Sequence, residues 1–197
     1  MIQSVLFVCA QNICRSPLMA AAFEEGFAAV EDTASSGVEW VFGSAGTQAE
    51  PGKRSCRVAV DIEKGASGHR SARLDADHLD AADLVIAASL AERALIAQLR
   101  PNARTRTFTL REALLLGERP VSAASLAEYA VALDARRGTL DLPNRRPLLW
   151  RREAAHPLDV VDVHHFGPRA HRRGLIKAAS DARTLASRVQ RELGSPA

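Results

Sequence analysis

The segment Cys9-Ala10-Gln11-Asn12-Ile13-Cys14-Arg15-Ser16-Pro17, set directly after the apolar run Val5-Leu6-Phe7-Val8, constrains this chain more than any other feature. An apolar run this short, with Val and Phe prominent, suits a buried parallel strand, expected over residues 2–8. Ser16 suits a helix N-cap and Pro17 the first helical position, where its missing N–H costs nothing. Leu18, Met19, Ala22, Phe23, Phe27 and Val30 recur at helical spacing and predict a helix over 16–30. The loop between them therefore closes on a helix N-terminus. Unpaired N–H groups and the positive end of the helix dipole favour an anion there, and favour the thiolate of a nearby cysteine. A cysteine at a helix N-terminus or beside a cation can have its pKa lowered to roughly 3.5–7.5. Cys9 thus reads as a nucleophile. Arg15 supplies the cation and a planar fork that can hold two phosphoryl oxygens at once. This chemistry asks for no metal.

The rest of the chain repeats the alternation of strand and helix. Strands are expected at 38–44, 84–88 and 104–110, and helices at 53–64, 91–99, 122–136 with a serine cap, and 170–193. Such alternation implies a parallel sheet covered by helices. A length of 197 residues with 47% apolar content supports one domain over 1–197 and does not suggest two. A net charge of +3 excludes a strong electrostatic footprint for nucleic acid. Three cysteines, an odd number, argue against a disulfide framework and for a reducing cytoplasm. The N-terminus opens straight into a strand without the pattern of a signal peptide. No run approaches the ~18 apolar residues of a membrane span.

Cys9-x4-Cys14-Arg15-Ser16-Pro17, with Asn12 inside the loop and Ser44-Ala45-Gly46-Thr47 downstream, resembles the low-molecular-weight protein tyrosine phosphatases, whose fold and loop the thioredoxin-coupled arsenate reductases share. The resemblance covers residues 1–110 and 157–193 and fades over about 111–156, a family-atypical insertion. It implies a flavodoxin-like three-layer α/β sandwich around a central four-stranded parallel sheet, with the phosphate loop after the first strand. It further implies a metal-independent, cofactor-free phosphomonoesterase that acts on a phosphorylated protein or a small phosphomonoester. In that chemistry Cys9 attacks phosphorus, while Arg15 and the backbone N–H groups of Ala10, Gln11, Asn12, Ile13, Cys14 and Arg15 hold the equatorial oxygens. Ser44 supports Asn12, Ser16 donates to the thiolate, and Cys14 is able to close a protective disulfide with Cys9.

The segment Asp159-Val160-Val161-Asp162-Val163-His164-His165-Phe166-Gly167 resembles the family's acidic loop, with Asp162 as the proton donor and Asp159 as the alternative. Val163 stands where the family has proline, His164 and His165 where it has an aromatic, and Ala49 and Glu50 where it often has a bulky apolar residue. These departures weigh against a strict phosphotyrosine preference. Arg70 occupies the family's histidine position and His69 falls one residue early, which predicts a weaker network around Asn12. Arsenate reduction needs a downstream pair of resolving cysteines, and only Cys56 follows Cys14. A non-catalytic phosphate-binding protein is the third reading. His156, His164, His165 and His171 gather near Asp159 and Asp162, but their spacing matches no common zinc pattern and no cysteine lies near them in sequence, so no metal is assigned. Residues 137–157, with three prolines and paired arginines, read as a solvated loop. Nothing in the sequence indicates an oligomeric state.

Overall fold

Strand β1 (Ile2–Cys9) is flanked on both sides in the computed structural model, which describes residues 2–29, 38–140, 142 and 156–194. Strand β2 (Glu39–Gly46) pairs with it in parallel from Ile2↔Glu39 to Cys9↔Gly46. On the other side β3 (Leu84–Ala87) pairs from Val5↔Leu84 to Val8↔Ala87, and β4 (Thr107–Thr109) follows. The sheet order is β2-β1-β3-β4, all parallel, as the alternation implied. All of β3 is buried, which is how a parallel strand covered on both faces reads.

The alternation of side chains along each strand divides the core in two. Val5, Phe7, Leu84, Ile86 and Phe108 face a layer built by α1 (Arg15–Ala28), α5 (Leu110–Leu116), α6 (Leu126–Ala135) and α7 (Pro168–Gly194). Leu6, Val8, Val85 and Ala87 face α3 (Ala76–Asp80) and α4 (Leu90–Leu99) through Leu79 and Ile96. The short α2 (Arg57–Ile62) adds Ala59 to the first layer. Phe23 and Phe27 of α1 pack against Phe42 and Trp40 of β2, with centroids 4.4–6.1 Å apart from Phe27 to its neighbours. Helices α1 and α7 approach closely at Gly26, where an added Cβ would lie 2.9 Å from the Arg183 Cα.

Three local expectations change. Ser16 is not the N-cap of α1: Cys14 holds that position without a side-chain capping bond, and Pro17 falls later in the first turn. The fourth strand, expected over 104–110, covers only Thr107–Thr109: residues 101–106 wind as a 3-10 helix and α5 begins at Leu110. Thr109 and Glu112 form a reciprocal capping box there, which overrides the apolar continuity of Leu110. Most of 137–157 lies outside the described residues. Among the described residues, no helix is long and apolar enough to cross a membrane.

Candidate active site

In an open parallel sheet, ligands bind beyond the carboxyl ends of the strands where the strand order reverses. Here that point lies between β1 and β3, and Cys9 ends β1. Beyond β3, Ala88 N–H donates to Val8 O (2.7 Å) and Ala88 O accepts from Val160 N–H (2.7 Å). The acidic segment near the C-terminus is thereby stitched to the end of β3, next to the loop that follows β1.

The carbonyl oxygens of that loop turn outward. Cys9 O accepts from Thr47 N–H (3.0 Å), Ala10 O from Gln48 N–H (2.8 Å), Ile13 O from Cys56 N–H (2.9 Å) and Cys14 O from Leu18 N–H (3.3 Å). Asn12 O contacts His69 Nε2 at 2.8 Å. A carbonyl only accepts, so His69 carries its proton on Nε2. With these carbonyls engaged, the loop amides are left for an anion, as in an anion-binding nest, and that of Asn12 points at the Cys9 sulfur.

Asn12 fixes this shape. Its φ of 53° is left-handed, a region asparagine tolerates better than most residues. Its Oδ1 accepts from Ala72 N–H (2.8 Å), and its Nδ2 donates to Ser16 Oγ and Ser44 Oγ (both 2.9 Å). Ser16 Oγ accepts from Asn12, and its own proton has two acceptors in reach, Cys9 Sγ at 3.1 Å and, more distantly, Ala45 O at 3.4 Å. Asn12 N–H also points at Cys9 Sγ (3.2 Å). Gly46 allows the approach of β2: an added Cβ would meet Ala10 O at 2.6 Å and Asn12 Cβ at 2.9 Å.

Arg15 crosses the mouth of the loop, 8% exposed. Its Nη1 donates to Val160 O (3.2 Å), and its Nη2 pairs with Asp162 Oδ2 (3.0 Å) and, more distantly, Glu92 Oε1 (3.5 Å). Asp162 itself is exposed, and its Oδ1 accepts from His164 N–H (3.1 Å). Asp159 has different work: its Oδ1 accepts from Leu90 N–H (2.9 Å) at the start of α4. Ser89 donates to the other oxygen of Glu92, which holds that carboxylate toward Arg15.

The structure therefore brings Cys9, Asn12, Ser16, Ser44, Arg15 and Asp162 to one mouth and leaves Asp159 outside it. Two contacts differ from the sequence reading. His69, placed one residue early, still reaches the loop and supports Asn12, while Arg70 is exposed. Burial pushes the His69 imidazolium below its ordinary range, the hydrogen bond to Asn12 O opposes, and Arg70 adds to the lowering. Ala49 is buried beneath the loop instead of walling the mouth. Glu92 was missed because Ser89-x-x-Glu92 looks like a helix-start pattern, and it serves as one too.

The other two thiols lie close by. Cys14 and Cys56 share a hydrogen bond; together with burial it pushes Cys14 strongly upward, while at Cys56 the same bond, helped by the N–H groups of Ala59 and Val58, outweighs burial and draws the thiol down to about 7. All three cysteines are free.

A doubly wound α/β fold whose β1–α1 loop presents a thiol, an arginine and a ring of amides belongs to the cysteine-dependent phosphate-loop class. Residues 4–114 match the low molecular weight phosphotyrosine protein phosphatase family, and the chain belongs to that family. It is 33% identical over 108 residues to the protein-arginine-phosphatase of Geobacillus stearothermophilus, spanning 55% of this chain and 69% of that protein. The fold is shared with the YwlE arginine phosphatase of the same organism (TM-score 0.60, 24% identity, 97% of this chain and 92% of that one). It is shared equally with the tyrosine phosphatase Wzb of Escherichia coli K30 (TM-score 0.60, 15% identity, 98% and 100%). A low molecular weight protein tyrosine phosphatase from T. tengcongensis superposes with a TM-score of 0.62 at 23% identity, over 97% and 99%. The protein is a phosphatase of this family.

Proposed function

We propose that Cys9 is the nucleophile of a metal-independent phosphomonoesterase of the protein-tyrosine-phosphatase type, working in a reducing compartment such as the cytoplasm. The observation that carries this reading is the Cys9–Ser16–Asn12–Ser44 chain of hydrogen bonds in the same loop as Arg15, whose guanidinium pairs with Asp162. The Cys9 sulfur attacks phosphorus as the bond from phosphorus to the leaving oxygen breaks, and Asp162 passes its proton to that oxygen. The loop amides and Arg15 stabilise charge on the equatorial oxygens. Water, deprotonated by Asp162, then displaces the thiolate, which Ser16 stabilises by donating to sulfur.

Arg15 is engaged with Asp162 before substrate arrives. An incoming phosphoryl group takes over the guanidinium fork and releases the Asp162 carboxylate, which takes up a proton from solvent, or the one carried by a phosphate monoanion, and passes it to the leaving group. His164, His165 and Phe166 place rings on the segment that bears Asp162, and Phe166 is 66% exposed, which suits an aryl phosphate on a protein. The arginine phosphatase among the relatives supports a second substrate, phosphoarginine, whose guanidine leaving group also needs a proton.

The test is metal-free hydrolysis of p-nitrophenyl phosphate under reductant by wild type and Cys9→Ser, followed by phosphotyrosine and phosphoarginine peptides in parallel. Turnover is expected only in wild type, and activity retained by folded Cys9→Ser refutes the covalent mechanism. The better peptide substrate decides between the two leaving groups.

A further inference from the structure

Cys14, His164 and His171 meet beside the phosphate loop although they come from three elements: the N-cap of α1, the 3-10 turn His164–Phe166 and the first turn of α7. Their ligand atoms, one sulfur and two imidazole nitrogens, all lie within 4.8 Å of one another. The two rings stand edge to face with centroids 5.0 Å apart. His171 is buried, Cys14 is half-buried and His164 is exposed, so the cluster opens to solvent on one side. None of the three carries out a chemical step in the phosphatase reaction.

We infer that these three side chains form a site for a transition metal of the Zn²⁺ class, which clamps the acidic segment onto the phosphate loop and holds the enzyme inactive. One thiolate and two imidazoles are the donors such an ion prefers, whereas Mg²⁺ and Ca²⁺ call for oxygens. Bonds of about 2.0–2.3 Å to nitrogen and sulfur require the triangle to contract modestly, and a fourth position is left to water. His164 sits on a short exposed turn that can supply the movement. Binding replaces the Cys14 thiol proton, which leaves to solvent, and no electron is transferred.

The inhibitory effect follows from the position of His164, two residues after Asp162 and bonded to it through its N–H. A metal joining His164 to Cys14 fixes Asp162 where it occupies Arg15, against the exchange that an incoming phosphoryl group requires. The sequence concealed the site because its cysteine lies at the opposite end of the chain from its histidines.

Co²⁺ in place of zinc gives a readout independent of activity. Added to Cys9→Ser, it is expected to produce the near-ultraviolet charge-transfer band of a thiolate-bound ion. That band should vanish when Cys14→Ser is added, and its midpoint should shift by roughly tenfold or more with His164→Ala, since even lost supporting contacts to a metal ligand cost 10–100-fold. In the active enzyme, Zn²⁺ should inhibit reversibly, a chelator should restore turnover, and His164→Ala or His171→Ala should raise the inhibitory concentration by a similar factor. His164→Ala changes an exposed side chain, so the test survives if His171→Ala fails to fold. The proposal is overturned by a band that requires Cys9 or survives Cys14→Ser, by no Co²⁺ binding at all, or by unchanged inhibition in both histidine variants.

Discussion

Arg15 and Asp162 neutralise each other across the mouth of the loop, and the two aspartates of the acidic segment have separated roles. Removing Asp162 should have two effects of opposite sign. In Asp162→Ala, kcat on phenolic esters is expected to fall by roughly 10²–10⁴, the ordinary contribution of a positioned acid, and much less on esters whose leaving group needs no proton. Inorganic phosphate should bind several-fold tighter as a competitive inhibitor, because Arg15 has lost its competing carboxylate. Asp159→Ala should instead cost about 1 kcal/mol, as for loss of a helix cap, lowering Tm by about 2–4 °C with its leaving-group dependence unchanged. If the leaving-group pattern follows Asp159, the two roles are exchanged. The contiguous part of this site was legible in sequence, since the loop's chemistry is packed between a strand end and a helix start. Glu92, Ala72 and His69 were not, because their contributions are single long-range hydrogen bonds with no periodicity to announce them.

The acidic segment is an element placed by its neighbour. An added Cβ at Gly174 of α7 would stand 2.6 Å from Val163 Cγ2, so this glycine lets the residue after Asp162 settle on the helix. Gly174→Ala should gain about 1 kcal/mol of helix propensity and lose a similar amount to the contact, leaving Tm nearly unchanged. Its kcat on phenolic esters should nevertheless fall by roughly tenfold or more, up to the 10² that a 1 Å misplacement can cost. Matched kinetics and melting curves check this, and wild-type kcat in the variant would mean that Val163 does not position Asp162. The same distinction between pattern and contact governs how the fold could be read. Strands β1, β2 and β3 and helices α4, α6 and α7 announce themselves through period and caps. Helix α5 does not, because Leu110 continues an apolar run while the deciding signal is the Thr109–Glu112 box. Ser16, an apt N-cap by type, is drawn instead into the Asn12–Cys9 network.

On the scale of the whole molecule, folding joins the loop after β1 to the first turn of α7 and shelters a histidine on each side of the mouth. Burial is the main cause that lowers the affinity of both His69 and His171 for a proton; at His69 the hydrogen bond to Asn12 O opposes and Arg70 adds to the lowering, and at His171 His164 adds and Asp162 opposes. In the unfolded chain both titrate near 6.5. Below that pH the unfolded state binds protons that the folded state still refuses, and the slope of stability with pH is positive wherever the unfolded state holds more protons. The contribution of neutral histidine is therefore complete above about 6.5 and is lost as the pH falls from there through the lowered folded values. Glu63, raised by burial, acts in the opposite sense: its contribution is present below the ordinary glutamate pKa and is lost as pH rises from there through its raised folded value. Urea midpoints measured between about pH 7.5 and 5.5 should decline toward acid. His69→Gln, which can still donate to Asn12 O without titrating, should flatten part of the decline, and adding His171→Gln should flatten more. A slope identical in wild type and the double variant would assign the acid sensitivity to other groups and leave the two histidines uncoupled from folding.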